Sequence, residues 1–451
     1  MTSEDPANFA SINNTMPFES KILGLSHQCL SVSVFREVME GKLSNGIKVY
    51  TEEMEGLSSA SIGIWIDVGS RDEPTEYRGC SHFLEHLLFK GTEKRSAAEI
   101  STIIEAKGGY LNAFTDRDMT CFHSKVLKQD IELAVDVLTD IVQGPLLKEE
   151  DVDKELQVIL SEIDNRDDDP GDLIHDLYFE TAWDRNRTAH PILGEKNALC
   201  SLKKQAIKDY YTANYIPSRM IVTAAGSIKH EELMVTLEKY LHVDRPRVKS
   251  TRSKPSYSAR RRHVPRASSQ VQVALTAEGL PYRDRSRDAL GIINSYLGVG
   301  ASSKLFQEVR EKQGLVYSIF TSNYSLRDSG LFAVLAGTQD KYVEKLLRTV
   351  QKELFDLQAG LPEKTLKEIK HKTTGLFVLR SESSESRMTQ LGVSALRQGR
   401  PKTMKDVIDG INSVGGDTVR ELALRIFQKE RLGLTTLGLS KETERKVAAL
   451  F

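Results

Sequence analysis

GCSHFLEHLLFKGT, residues 79–92, carries two histidines, His82 and His86, four residues apart with Glu85 between them. The run is compatible with a helix, and on a helix positions i, i+3 and i+4 share one face. Two imidazoles and a carboxylate therefore point into the same space. Two histidines at that spacing can both reach one tetrahedral zinc ion, at bonds of roughly 2.0–2.1 Å, while the carboxylate reaches water beside the metal without ligating it. The order inverts the commoner H-E-x-x-H and forms its own motif class, H-x-x-E-H. The plain alternative for three fixed positions in five is an amphipathic helix with histidines on its polar face.

Working outward, a catalytic zinc needs a third protein ligand and an open fourth position. KELQVILSE (154–162) offers Glu155 and Glu162, seven apart on one helical face amid Leu156, Val158, Ile159 and Leu160. Either glutamate on a solvated face is the bland reading. Around these segments, residues 46–51, 60–68, 109–115 and 119–128 have strand composition, and 81–90, 96–107, 129–143 and 149–163 have helical spacing. That order predicts an α+β domain with helices packed on a largely antiparallel sheet.

The first domain repeats further along. LLKEEDVDKEL (147–157) resembles GLPEKTLKEIK (360–370), GGYLNAFT (108–115) resembles GLVYSIFT (314–321), and CSHFLEHL (80–87) is loosely matched by SSKLFQEV (302–309). In the last pair Lys304 and Glu308 replace the histidines and Gln307 replaces Glu85, so the second copy has lost the metal chemistry. Between the copies, residues 243–268 hold three prolines and no acid after Asp244, the composition of a basic interdomain linker. The expected organisation is a polar extension over 1–34, a zinc-binding catalytic domain over 35–242, the linker, and a homologous domain without metal over 269–451.

Composition narrows the function. Lys plus Arg number 62 against 63 Asp plus Glu, a net charge of -1, which argues against a nucleic-acid binder. No apolar run of about 18 residues suggests a membrane span. The start, MTSEDPANFASINNTMPFES, fits neither a secretory signal nor an Arg-rich leader, and the four cysteines are widely spaced, so a cytoplasmic location is expected.

GCSHFLEHLLFKGT, GGYLNAFTDRDMT (108–120) and KELQVILSEI (154–163) together resemble the insulinase/pitrilysin family of zinc peptidases, over about residues 35 to 440. Within it the chain is most similar to the short bacterial processing proteases and the β subunit of mitochondrial processing peptidase. The resemblance implies Zn²⁺ as cofactor, Glu162 as third ligand 76 residues after His86, and Glu155 as an outer carboxylate that orients the ligands. SYLGVGASSKLFQEVREKQGLVYSIF (295–320) is similar to the family's C-terminal domain, where an arginine and a tyrosine seven apart reach the catalytic site; here they are Arg310 and Tyr317. Without the family, these read as a helix-surface arginine and a strand tyrosine.

The implied activity is zinc-dependent endopeptidase action on unfolded or extended peptides, with Glu85 as general base and Tyr317 and Arg310 assisting the oxyanion. Strand 109–115 is expected at a sheet edge, so that a peptide adds to it and Asn112, Ala113 and Phe114 line the substrate. The acidic run from Glu162 to Asp169 is a further candidate, for basic substrate side chains. His123 reads as structural and Cys80 as a packed thiol. A homodimer is the expected assembly, a heterodimer with a homologous subunit the runner-up, because each half is incomplete alone. The rival readings are a non-proteolytic structural subunit of the same fold and a maturation partner that works beside a homologous chain. Natural substrate, cleavage specificity and pathway are not legible in the chain.

Overall fold

SASIGIWI (59–66) carries only small or apolar residues and is buried from Ala60 to Ile66, which suits a strand covered on both faces rather than one. In the computed structural model, which describes residues 36–184, 186–246 and 252–451, it is a central strand of a six-stranded sheet. The elements of this half are β1 (Val38–Lys42), β2 (Lys48–Glu53), β3 (Ser59–Ile66), α1 (Cys80–Leu88), α2 (Ala97–Glu105), β4 (Tyr110–Thr115), β5 (Thr120–Leu127), α3 (Ile131–Gln143), α4 (Glu149–Asp168), α5 (Pro170–Ala182), α6 (Lys196–Ser201), α7 (Lys204–Asn214), β6 (Met220–Gly226) and α8 (His230–Tyr240). The strands run β1-β2-β6-β3-β5-β4, antiparallel except for β2 against β6. β4 is therefore an edge.

The second half contains β7 (Arg261–Val264), β8 (Val271–Glu278), α9 (Arg287–Gly298), β9 (Val316–Ser325), β10 (Gly330–Thr338), α10 (Val343–Asp356), α11 (Glu363–Arg380), α12 (Ser384–Gln398), α13 (Met404–Ser413), α14 (Gly416–Ile426), β11 (Gly433–Leu437) and α15 (Lys441–Ala448). Its sheet runs β7-β11-β8-β10-β9, again antiparallel apart from one pair, β7 with β11. The mixed α and β halves predicted from the repeat are thus present as two sheets carrying helices. Where the first copy has two histidines, the second has an ion pair, Lys304 Nζ to Glu308 Oε1 at 2.8 Å.

The halves exchange helices. One face of the first sheet packs on Phe83, Leu84, Leu138, Ile159 and Leu237 from its own helices. Its other face, with Tyr50 and Trp65, is covered by Met388, Ala395 and Leu396 of α12 from the second half. Reciprocally, Ile174, Leu177 and Phe179 of α5 cover Ala274, Leu331 and Leu335 of the second sheet. Gly392 is required under α12, since a Cβ there would come within 2.1 Å of the Trp65 ring. Arg387 of α12 pairs with Glu52 of β2, both side chains fully buried.

Part of the expected linker is built into this arrangement. Residues 261–264 form the strand β7, and Arg252 donates to both carboxylate oxygens of Asp72 at 2.7 Å and to Asp67 at 2.8 Å. Residues 247–251 and the extension expected over 1–34 lie outside the described residues. Among the described residues no helix is long and apolar enough to cross a membrane.

Candidate metal centre

Local chemistry decides where α1 begins. Gly79 precedes it with φ +89°, a left-handed conformation that favours glycine, and a Cβ there would lie 2.8 Å from the Leu193 carbonyl oxygen. The backbone N–H groups of Gly79 and Ser81 each donate to the Glu73 carboxylate at 2.7 Å, satisfying donors that a helix start leaves open. Glu73 is fully buried, and burial pushes its pKa up to about 8 against the pull of those bonds. Phe83, Leu84, Leu87 and Leu88 enter the core, which turns His82, Glu85 and His86 toward α4.

On α4, Val152, Glu155, Ile159 and Ile163 are buried, so the helix presents Glu155 and Glu162 to α1. The candidate donor atoms of His82, His86 and Glu162 all lie within 4.8 Å of one another. Glu162 Oε2 stands 3.9 Å from His82 Nε2 and 3.7 Å from His86 Nε2. Both separations exceed a hydrogen bond and are near the edge of a tetrahedron around zinc, about 3.3–3.6 Å for bonds of 2.0–2.2 Å. Glu155 takes a different place: its Oε2 accepts from His86 Nδ1 at 3.2 Å, and its Oε1 meets Lys90 Nζ at 2.6 Å. That bond assigns the proton of His86 to Nδ1 and leaves the Nε2 lone pair facing Glu162. His82 Nδ1 is buried without a hydrogen-bond partner among the described residues.

Electrostatics suit the same division. Burial, and then the neighbouring His86, push His82 down to about 3, so its imidazole is neutral at ordinary pH. Burial raises Glu85 to about 7, opposed by a 2.5 Å hydrogen bond from Thr115 Oγ1 to its Oε2 and by His86, while Glu162 adds to the rise. A carboxylate near 7 is poised to take and return a proton. Two imidazoles and one carboxylate whose donor atoms converge are the donor set of a catalytic zinc site, and the residues present fit that metal.

Of the other predicted residues, Asn112, Ala113 and Phe114 lie on the edge strand β4, but alternation separates them. Ala113 packs toward the core beneath α1, and Phe114 packs toward α12. Arg310 and Tyr317 come together, the guanidinium 5.3 Å from the Tyr317 ring, on a π-helical turn (Phe306–Glu311) and on β9. Tyr317 is 77% exposed. Among the described residues neither makes a hydrogen bond, ion pair or ring contact with His82, Glu85, His86 or Glu162. In the acidic run, Asp164 pairs with Lys196, Asp167 with Arg166, and Asp169 caps α5 through Gly171 N at 2.6 Å, so these carboxylates are already engaged. Cys80 is buried and free. His123 lies on β5, buried on the sheet face away from α1.

Three residues at the centre escaped the sequence reading. Lys90 had a signal, since it follows His86 by four and shares its face. Thr115 closes the GGYLNAFT run, yet nothing local says that its hydroxyl meets Glu85. Glu73 lies outside any periodic segment, and only folding brings it to the start of α1.

The chain is similar to known proteins over most of its length. The model of the family described as Insulinase (Peptidase family M16) matches residues 48–196, and that of the Peptidase M16 inactive domain matches 201–373. An uncharacterized zinc protease of Streptomyces coelicolor is 37% identical over 412 residues, covering 89% of this chain and 90% of the relative. A second, from Bacillus subtilis, is 33% identical over 86% of this chain and 95% of its own length. A probable mitochondrial-processing peptidase subunit beta of Arabidopsis thaliana is 27% identical over 88% and 77%. The crystal structure of a protease from Helicobacter pylori has the same fold, with a TM-score of 0.83 at 22% identity over 89% of this chain and 99% of that one.

Proposed function

The chain belongs to the insulinase family of peptidases, M16, and from that membership we propose that it is a zinc-dependent endopeptidase acting on unfolded or extended peptides, with His82, His86 and Glu162 as ligands and Glu85 as general base. The observation that carries this reading is the convergence of two Nε2 atoms and one carboxylate oxygen beside a buried glutamate. Zinc held there supplies Lewis-acid polarisation of the scissile carbonyl and makes water nucleophilic near neutral pH.

The chain's own groups divide the remaining work. Thr115 holds Glu85 Oε2, leaving Oε1 to take the water proton and then hand it to the leaving amine. Glu155 orients His86, and Lys90 in turn holds Glu155. β4 offers an unpaired edge, among the described residues, to which an extended peptide adds by backbone hydrogen bonds, and such addition selects unfolded segments.

The exposure of Tyr317 and its separation from the histidines support a dimer in which the second half of one chain faces the centre of another. One sequence carries both sets of residues, which favours two identical chains over a heterodimer. The free thiols of Cys80, Cys121 and Cys200 support a reducing, cytoplasmic location. The test is to incubate the purified chain with a peptide library, with and without chelator, and map the cuts by mass spectrometry. Cleavage that persists undiminished in chelator removes the reading.

A further inference from the structure

Strand alternation gives β4 two faces. Leu111 and Ala113 pack toward the core under α1, and Thr115 meets Glu85. On the opposite face the Tyr110 hydroxyl donates to Glu385 Oε2, in the first turn of α12, and Phe114 packs beside it. His123, paired across from Asn112, sits between these two rings, with centroids 6.2 Å from Tyr110 and 6.1 Å from Phe114.

Two features of this cluster have no structural purpose as it stands. His123 is only 6% exposed, yet its Nδ1 has no hydrogen-bond partner among the described residues and stops 3.6 Å from Glu385 Oε1. Burial lowers the His123 pKa, so the ring is neutral and leaves the glutamate charge unmatched. Glu385 is about a third exposed and, among the described residues, forms no ion pair with a lysine or arginine. A buried imidazole nitrogen without a hydrogen-bond partner beside a carboxylate without a basic partner marks an unfilled polar site, and the carboxylate, which only accepts, calls for a donor.

We propose that Glu385, His123, Tyr110 and Phe114 form a subsite for a lysine or arginine side chain of the peptide bound along β4. The proposal rests on the reading above that β4 receives the substrate. A peptide added to β4 projects successive side chains to opposite faces. Those of one parity point toward Glu85 and the histidines; those of the other point toward α12. There an aliphatic stem lies against Tyr110 and Phe114, beside the His123 ring, and the cationic head donates to Glu385. Specificity for a basic residue thus comes from the half of the chain that lacks metal ligands, through the helix it lends to the first sheet.

The experiment uses full-length protein in a Glu85→Gln background, where binding is read without turnover. Neutral peptides carrying a single lysine, or norleucine, at each successive position are titrated by fluorescence anisotropy. The expected lysine-to-norleucine affinity ratio is about tenfold or more at alternate positions and near one elsewhere. Adding Glu385→Gln brings that ratio to about one, and Glu385→Lys transfers the preference to glutamate at the same positions. A ratio that ignores both changes, or that moves at positions of the opposite parity, overturns the subsite. Cleavage by the wild type separates the two claims. Peptides cut normally while the ratio ignores Glu385 retain the peptidase and remove the subsite. Peptides never cut while the ratio follows Glu385 do the reverse.

Discussion

Thr115→Val removes one hydroxyl and tests whether Glu85 works as the base in the way its surroundings suggest. The Thr115 hydroxyl donates to Glu85 Oε2 at 2.5 Å and favours the charged carboxylate, opposing the burial that nonetheless leaves it raised to about 7. A hydrogen bond to a charged group is worth about 1.5–3 kcal/mol, and one pKa unit corresponds to about 1.4 kcal/mol, so its loss raises the carboxylate by about 1–2 units. The base must be ionised to act, so activity falls on the acid side and the acid limb of kcat/KM against pH moves toward alkaline values. A base at about 7 is half ionised at pH 7; one at about 8–9 is ionised to about 10% or 1%, a loss of about 5- to 50-fold. Above pH 9 the loss disappears. Zinc lowers the carboxylate in both proteins alike, so the limb of each shifts while the difference between them remains. Thr115→Ser, which keeps the donor, restores the original limb. The assay is kcat/KM for a fluorogenic peptide from pH 5 to 10. A limb that does not move in Thr115→Val, or a loss of equal size at every pH, refutes the reasoning.

Glu85→Gln keeps its zinc but loses about 10²–10⁴-fold in turnover, since an amide cannot accept the water proton; near-normal hydrolysis with full metal content would remove the assignment. Glu162→Gln weakens zinc binding more than Glu155→Gln, whose outer position costs about 10–100-fold, and metal titration of both variants reads the difference directly. Mixing Glu85→Gln chains with Tyr317→Phe chains, each inactive alone, restores part of the activity if Tyr317 serves the partner's centre; a fully active wild-type monomer by light scattering counts against it. Arg387→Met strands Glu52 in the core and destabilises the fold by about 3–5 kcal/mol, and thermal melting of this variant beside Arg387→Met/Glu52→Gln should recover most of the loss.

Much of the architecture was legible because periodicity is a local property. The spacing of 129–143 and 149–163 anticipates α3 and α4, and the strand runs at 60–68 and 119–128 fall on β3 and β5 within a residue or two at each end. The internal repeat anticipates a second sheet, and the substitutions Lys304 and Glu308 anticipate a half without the metal set. What periodicity cannot say is which partner covers an apolar face. α5 and α12 each pack on the sheet of the other half, because an apolar stripe specifies burial and not address.

The candidate site divides along the same line. On sequence alone, three side chains of α1 share a face, because residues three and four apart on a helix must. The same rule left Glu155 and Glu162 indistinguishable by spacing, and resemblance alone separated them. In three dimensions the helix crossing puts Glu162 Oε2 before both Nε2 atoms and Glu155 before Nδ1 of His86, a difference set by the packing of α1 on α4. Thr115, Glu73 and Glu385 meet their partners only through contacts 30, 8 and 275 residues away in the chain, and no local pattern encodes such distances. Spacing in sequence determined which groups share a surface; tertiary packing alone decided which atoms on that surface meet.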